Sequence, residues 1–515
     1  MARKGPEGSP SGELRLNVYV RGALDARAAA YRLRAASINL PIMDEAAKPG
    51  VGRGEGGIWL QLPASLASLF APLNSTMIAV ALPSIRRDFD VGVSSLTWLV
   101  SSYLIAVAVC QPAGGRLGDA FGHLRTVKAG LLVLLVFSVL SALAVNFPML
   151  VATRSLQGIS AALIAPNVVA YLRKRVAPGR LGSVMGVNGA AVSTGAAFGP
   201  VLGGLLLFAG DWRWLFVANV PFGLVALFLV MRLPEDKGVG RSALHLDTVS
   251  LFALGLGFTG MALAGTALKE GSLAFEAAAA AIFAAGVVLY GVRYFASRSG
   301  VVDLRLFTRR DFAATAAGTA LTNLVMYTIL IAMPVYLGDV EGSSDAVIGL
   351  VLFSMSAAMI VVGPFSGRLS VAVGSRPLMV TGAMLLLVAA TGLALVVGRW
   401  PVEAIVPLLL LIGLGMGLLG APQQSIALRA WPVNVAGSAA GTYSMMRYVG
   451  SVLGTAVLAT VVSRQAQASE FRELFLLLAG VAVVNTFTGF AVTGRRHRPS
   501  PQAEAPARPA GATGG

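Results

Sequence analysis

Of 515 residues, 56% are hydrophobic and only 12% charged, with a mean hydropathy of +0.75, values that a water-soluble domain with a charged surface does not reach. The net charge of +16 does not point to nucleic acid, because Lys and Arg fall in short gaps between apolar runs rather than on one basic face. A lone cysteine, Cys110, and three scattered histidines, His123, His245 and His497, provide no internal disulfide, no metal-ligand spacing and no Ser/His/Asp constellation, so no metal, cofactor or enzymatic reaction is expected.

In chain order, residues 1–57 form a basic extension without the apolar stretch of a signal peptide; it is expected to be cytoplasmic and disordered, with Met43 an alternative start. Apolar stretches long enough to cross a bilayer then recur at 58–82, 96–114, 127–145, 148–170, 183–208 and 213–231. A further pair follows at 249–268 and 274–292, then six more at 312–336, 346–366, 378–398, 402–424, 436–461 and 473–493. Residues 494–515, rich in Pro, Ala and Gly, read as a disordered tail. The stretches must be helices, because lipid offers no partner to backbone N–H and C=O groups and nothing alternates with the period of two that a barrel needs. The fold class is therefore all-α: a polytopic inner-membrane protein of 14 transmembrane helices.

Every second loop is basic. Arg116, Arg125 and Lys128, then Arg173, Lys174, Arg175 and Arg180, then Arg232, Lys237 and Arg241 fall on one side, with Arg293, Arg298, Arg305, Arg309 and Arg310 and the tail Arg495, Arg496 and Arg498. The loop holding Asp339, Glu341 and Asp345 has no base at all. Because basic short loops stay in the cytoplasm, both termini are expected there. Arg86 and Arg87 are the exception, offset by Asp88 and Asp90.

The chain repeats itself. Gly115-Arg116-Leu117-Gly118-Asp119-Ala120-Phe121-Gly122 matches Gly367-Arg368-Leu369-Ser370-Val371-Ala372-Val373-Gly374, and Gly182, Ser183, Gly186, Gly195 and Gly199 match Gly437, Ser438, Gly441, Gly450 and Gly454 in identical spacing. Two parallel six-helix halves, 58–232 and 312–493, are expected, with the pair 249–292 inserted between them. Glycines four apart, Gly195, Gly199 and Gly203 or Gly450 and Gly454, line one helix face and let helices approach closely.

The residues at this point resemble the major facilitator superfamily, and within it the 14-span drug:proton antiporters. The likeness runs from about Ala71 to Val492. It rests on the first-span run Leu73-Asn74-Ser75-Thr76-Met77-Ile78-Ala79-Val80-Ala81-Leu82-Pro83, the loop Gly115 to Arg125, and Arg154-Ser155-Leu156-Gln157-Gly158 in the fourth span. The fifth span is the specific part: Gly195, Gly199, Pro200, Gly203 and Gly204 match the motif that marks exporters, and Trp212-Arg213-Trp214-Leu215-Phe216 with Asn219 and Pro221 follows it. The resemblance implies a multidrug efflux transporter in the cell membrane that exports amphipathic compounds by alternating access in exchange for protons, with a small molecule, protons and lipid as partners. A monomer is expected, with the oligomeric state left open by the sequence, and the placement of the basic residues leaves no nucleic-acid partner expected. Two departures stand out: Asn74 occupies the place where that subfamily carries an aspartate, and Val371 replaces Asp119 in the second loop copy. They keep alternatives open, namely a facilitator or exporter of an endogenous metabolite, or a membrane receptor or scaffold that does not transport.

Arg154 is the charge expected at the central cavity, since an ionised side chain in mid-bilayer costs about 2.5–3.5 kcal/mol on insertion scales and needs a partner or water. The resemblance implies a role in proton transfer or gating; snorkelling or bonding to backbone carbonyls is the alternative. Asp119, with Gly115, Gly122 and Arg125 around it, reads as a conformational latch that accepts bonds from a helix N-terminus or an arginine, or else as a solvated loop carboxylate. Asn74, Thr76, Gln157, Asn188, Asn323, Tyr327 and Tyr443 are the polar positions that would line the cavity, with Met326, Met355 and Met359 as an adaptable apolar wall. Arg447 has Val192 at the matching place in the first half, and either binds an anionic substrate or caps a packing contact.

Overall fold

The computed structural model describes Met1 and residues 58–176, 178–240, 247–270, 272–297, 301–431, 436–463 and 465–493. The N-terminal extension, Arg241, His245, Arg298 and the C-terminal tail lie outside these, as do the side chains of Arg180, Ser183, Val371 and Ser438. The described residues contain helices and turns and no strand, and 14 helices are long and apolar enough to cross a bilayer.

They are α1 (Ile58–Val80), α2 (Val93–Phe121), α3 (His123–Ala142), α4 (Phe147–Arg175), α5 (Pro178–Ala209), α6 (Arg213–Met231), α7 (Thr248–Glu270), α8 (Leu273–Ser297), α9 (Arg310–Val335), α10 (Asp345–Val373), α11 (Ser375–Val396), α12 (Ile405–Arg429), α13 (Ala436–Val461) and α14 (Ala468–Ala491). Several outrun the apolar stretch that announced them. α2 continues to Phe121 and α4 to Arg175, so Arg116, Asp119, Arg173 and Arg175 sit on helix ends rather than in loops. Helix formation needs only backbone partners, and these ends project beyond the hydrocarbon, where charged side chains are free to sit. α1 stops at Val80 and resumes as a two-turn helix, Leu82–Phe89, with Pro83 in its first turn, because proline lacks the N–H that would carry a helix through.

Termination is chemical at other ends too. The Asn146 side chain accepts from Met149 N–H at the start of α4, Ser344 from Val347 N–H at the start of α10, and Gln467 with Glu470 forms a reciprocal cap on α14. Gly122 ends α2 at φ +102° and Gly374 ends α10 at φ +101°, so the loop repeat seen in sequence makes the same left-handed corner twice.

The packing repeats as well. α1 lies on α5, α2 on α4, α3 on α4 and α6; eight helices later α9 lies on α13, α10 on α12, α11 on α12 and α14. The small-residue spacing explains the first pair. A Cβ at Gly195 would stand 2.4 Å from the Leu69 carbonyl oxygen of α1, and one at Gly450 would stand 1.9 Å from the Ala320 carbonyl oxygen of α9. Backbone meets backbone where no side chain intervenes. The inserted pair docks through α7, which touches both α2 and α13, while α8 packs chiefly on α7 through Gly257, Gly260 and Gly286. Burial follows: 78% of the apolar window of α1 and of α9 is covered by protein, against 11% for α8, which is left to lipid.

The two halves meet along two seams, α5 with α10 and α2 with α13. One end of the bundle carries Asp88, Asp211, Asp339, Glu341 and Asp345 and is called the acidic end; the other carries Arg125, Lys128, Arg173 and Arg175 and is the basic end. The seams touch toward the acidic end. Gly204 and Gly349 press backbone to backbone, Ser101 donates to Thr455 at 2.7 Å, Arg86 pairs with Asp339, and Ser84 donates to Asp345 at 2.8 Å. Toward the basic end, Gly189 and Gly363 on the first seam and Gly115 and Gly441 on the second have no atom within 4 Å of where a Cβ would stand. The apolar core tells the same story. One cluster runs through both halves, whereas toward the basic end each half keeps its own, around Leu124, Ile164 and Tyr171 in one and around Phe312, Ala427 and Tyr443 in the other.

Candidate functional site: a two-arginine cluster where the halves meet

Arg154 lies on α4 and is fully buried, at 0% exposure. Its Nη1 donates to Asn74 Oδ1 at 3.1 Å and to Gln157 Oε1 at 2.8 Å, its Nη2 reaches the Asn74 carbonyl at 3.4 Å, and its guanidinium lies 4.6 Å from the centre of the Tyr103 ring. Asn74 Oδ1 also accepts from Asn219 Nδ2 at 3.3 Å, and Gln157 Nε2 donates to Ser138 at 2.9 Å. Every acceptor around this cation is neutral. The expected opening of Arg154 onto a central cavity is not found in this state, because Asn74 of α1 and Tyr103 of α2 lie against it and it is fully buried. Its Nε and the Asn74 Nδ2 remain buried without a partner, which is costly in a low dielectric.

Across the interface, Tyr327 of α9 shares a hydrogen bond of 2.7 Å with Ser75 of α1. Tyr327 is close enough to both Arg154 and Arg447 to feel their charge. Arg447 stands half-buried in the middle of α13, within electrostatic reach of Tyr327, Tyr443 and Tyr448, and among the described residues its guanidinium has no hydrogen-bond or ion-pair partner. Tyr443, one helical turn before it, shares a 2.8 Å hydrogen bond with Thr319, which lies 3.1 Å from Gln423 Oε1. Asn323 is half-buried and donates to the Thr319 carbonyl at 2.9 Å. Arg154 and Tyr103 from one half and Tyr327, Tyr448 and Arg447 from the other thus form one group at half-depth.

One expected lining residue sits elsewhere and another is buried without a partner. Thr76 bonds back to the Pro72 and Leu73 carbonyls, and its hydroxyl oxygen is what a Cβ at Gly199 would strike at 2.0 Å, so it belongs to the α1–α5 contact. Asn188 is buried in α5 with an unpartnered side-chain oxygen. Gly203 packs on the Met77 carbonyl, and Pro200 turns its carbonyl oxygen to within 3.3 Å of the Cβ position at Gly349. Ser75 and Asn219 are visible in sequence only as members of the quoted motifs and not as site residues, and Tyr103 and Tyr448 are signalled only by their polarity within apolar runs.

At the basic end the expected latch has different members. The Asp119 side chain is 63% exposed with His123 Nε2 at 3.5 Å, and its backbone carbonyl accepts from Val239 N–H at 2.9 Å. The cap of α3 is Asp236, which accepts from the His123 and Leu124 N–H groups at 2.9 Å each. Arg125 pairs with Glu235 at 3.0 Å, and so does Lys128. Gly122 is required here, since a Cβ would strike the Asp236 carbonyl at 2.6 Å. Burial alone would raise the Asp236 carboxyl; the two amide bonds outweigh it and hold the group below the usual carboxylate range. Glu235, in water, is lowered by its hydrogen bonds to Lys128 and Arg125. The signal was present in Pro234-Glu235-Asp236, two adjacent acids in an otherwise basic set of loops.

The profile described as "Major Facilitator Superfamily" matches residues 64–455, most of the chain. The chain belongs to the major facilitator superfamily. It is thus a membrane transport protein by family. It is similar to the uncharacterized MFS-type transporter YvkA of Bacillus subtilis, 28% identical over 437 residues that cover 83% of this chain and 94% of that one. It is also similar to the multidrug resistance protein Stp of Mycobacterium tuberculosis, 29% identical over 398 residues, 76% of this chain and 73% of that one. Among solved structures, a D-xylose-proton symporter superposes with a TM-score of 0.62 at 14% identity over 85% of this chain and 98% of its own, a likeness of fold. The superfamily's two-bundle architecture therefore underlies the seams, the corners and the midway cluster described above.

Proposed function

We infer that this superfamily member exports small amphipathic compounds across the cell membrane by alternating access. The observation that carries the reading is the pair of seams, joined at the acidic end and parted at the basic end, with the polar group of Arg154, Tyr327 and Arg447 midway. Basic loops stay in the cytoplasm, so the parted end faces the cell interior and the termini lie on that side. Cargo enters between the parted ends and settles against the midway group. The halves then rock about the Gly204–Gly349 and Ser101–Thr455 contacts, the Arg86–Asp339 pair opens, and the cargo leaves outward. The likeness to a multidrug resistance protein favours drug-like cargo. Asn74 favours a second reading, export of an endogenous metabolite, because it removes the carboxylate that the drug:proton subfamily carries there.

Proton exchange is the energy source that the resemblance implies, but Asn74 removes the carboxylate through which it would run, and the membrane potential is the other component of the same force. Inside-out vesicles carrying the protein are expected to accumulate amphipathic dyes when respiration energises them and to lose them on addition of a protonophore. Accumulation equal to that of vesicles lacking the protein, across a broad dye panel, would rule out the export reading. Accumulation that survives the protonophore would rule out coupling to the proton gradient.

A further inference from the structure

Resting on that export reading, we propose that the cargo is an amphipathic anion whose acid group binds Arg447, and that its own negative charge supplies the driving force. The sequence has no Asp or Glu from 56 to 87, from 91 to 118, from 120 to 210, from 312 to 338, from 346 to 402, from 404 to 469 or from 474 to 493. The spans that build both halves therefore hold carboxylates only at their ends. Against this stand two guanidinium groups at half-depth, Arg154 and Arg447.

Neither is neutralised by the protein. Arg154 is hydrogen-bonded to Asn74, Gln157 and a carbonyl, all uncharged, and stacked on Tyr103. Arg447 has neighbouring tyrosines and no counter-ion among the described residues. Two cations in a region of low dielectric make a field that repels a cationic cargo and attracts an anionic one. A carboxylate, sulfonate or phosphate is the chemistry that completes the site, because the planar fork of an arginine pairs with such groups through two parallel hydrogen bonds.

Of the two arginines, Arg447 is the one placed to receive it. Arg154 is sealed at 0% exposure, whereas Arg447 is half-buried. It lies on α13, which packs on α9, within electrostatic reach of Tyr327, the residue that bonds across to Ser75 of the other half, so a bound acid lies near the line where the halves meet. Tyr448, half-buried and next to Arg447 in sequence, offers a ring face and a hydroxyl to the body of the cargo, and Met326 of α9 is half-buried as well. No residue in these spans takes up and releases a proton as a carboxylate would. The cell interior is electrically negative, and 100 mV of that sign sustains about a 50-fold outward gradient of a monoanion with no counter-transported ion.

The test uses the purified full chain in liposomes and a panel of one- to four-ring arenes. Each arene is prepared as the sulfonate, the uncharged sulfonamide and the quaternary ammonium, none of which exchanges a proton at neutral pH. A potassium–valinomycin potential and a pH gradient are imposed separately. The expected result is sulfonate movement away from the negative side, reversing when the potential reverses, approaching 50-fold at 100 mV and absent with a pH gradient alone. Arg447→Gln is expected to raise the half-saturating sulfonate concentration at least ten-fold, and Arg447→Lys, which keeps the charge, to raise it less. Transport of the ammonium series in preference to the sulfonates overturns the anion inference and leaves the export reading standing. So does sulfonate transport that Arg447→Gln leaves unchanged. Movement of none of the three series by correctly inserted protein overturns both.

Discussion

Replacing Gly349 by alanine puts a methyl group 2.9 Å from the Gly204 Cα and 3.3 Å from the Pro200 carbonyl oxygen, both backbone atoms of the opposing half. Ordinary contact begins near 3.4 Å, so α5 and α10 must separate by roughly half an ångström. Overpacking of this kind costs about 1–3 kcal/mol. The cost falls only on the state in which the seam is closed at the acidic end, and it shifts the equilibrium toward the opposite state about 5- to 150-fold. Gly363 supplies the control: it lies on the same helix 14 residues on, about 21 Å along the axis, with nothing within 4 Å of its Cβ position. Alanine there only favours the helix, by up to about 1 kcal/mol. The assay is labelling of a single cysteine at Ser101, on the other seam, in a Cys110→Ala background, by an impermeant maleimide supplied on the acidic-end side. Ser101 is buried against Thr455, so its exposure requires the halves to part as bodies. The expectation is faster labelling in Gly349→Ala, by up to that factor, and an unchanged or slower rate in Gly363→Ala, whose methyl meets the opposing helix only when the other end of the seam closes. Equal rates in the two variants would refute the claim that both seams open together around this glycine contact.

Other expectations follow from the same geometry. Arg154→Ala is expected to insert normally and to abolish efflux in the vesicle assay, since it strands the Asn74 and Gln157 acceptors that the guanidinium now satisfies; full efflux would refute its role. Arg86→Gln and Asp339→Asn form a cycle across the closed end, and the double variant is expected to label at Ser101 about as fast as either single one, with a coupling of about 1 kcal/mol; strictly additive effects would show that the pair does not act as a gate. Asp236→Asn removes a charge-assisted cap of two N–H groups on α3 and is expected to cost about 1–2 kcal/mol, seen as a lower Tm in detergent. The pH dependence has the matching sign. The folded Asp236 and Glu235 carboxyls are held below their usual values, so their contribution is whole above the unfolded value of about 4 and is lost as pH falls through the folded one. The protection of the His123 and Leu124 amides from hydrogen exchange, relative to the intrinsic rate at each pH, is expected to fall below about pH 4 in the wild type, and to be lower already at pH 7 in Asp236→Asn.

Much of this molecule is readable without coordinates, because hydrophobicity and helix-forming need are additive along the chain. A run of apolar residues is forced into a helix by lipid whatever surrounds it, so the 14 spans and the duplicated halves follow from local composition and spacing. Glycine patterns are local as well: Gly195, Gly199, Gly450 and Gly454 show where backbones meet, and Gly122 and Gly374 where corners turn. Tertiary structure alone chose the partners. Arg154 meets Asn74 across 80 residues and Tyr327 meets Ser75 across 252, and no rule of spacing selects one polar residue from the many in other helices. For the same reason Asp236 rather than Asp119 caps α3, Thr76 turns to packing, and the seams close at one end and part at the other. Direction and distance between remote side chains are properties of the packed bundle, set only once the two halves have come together.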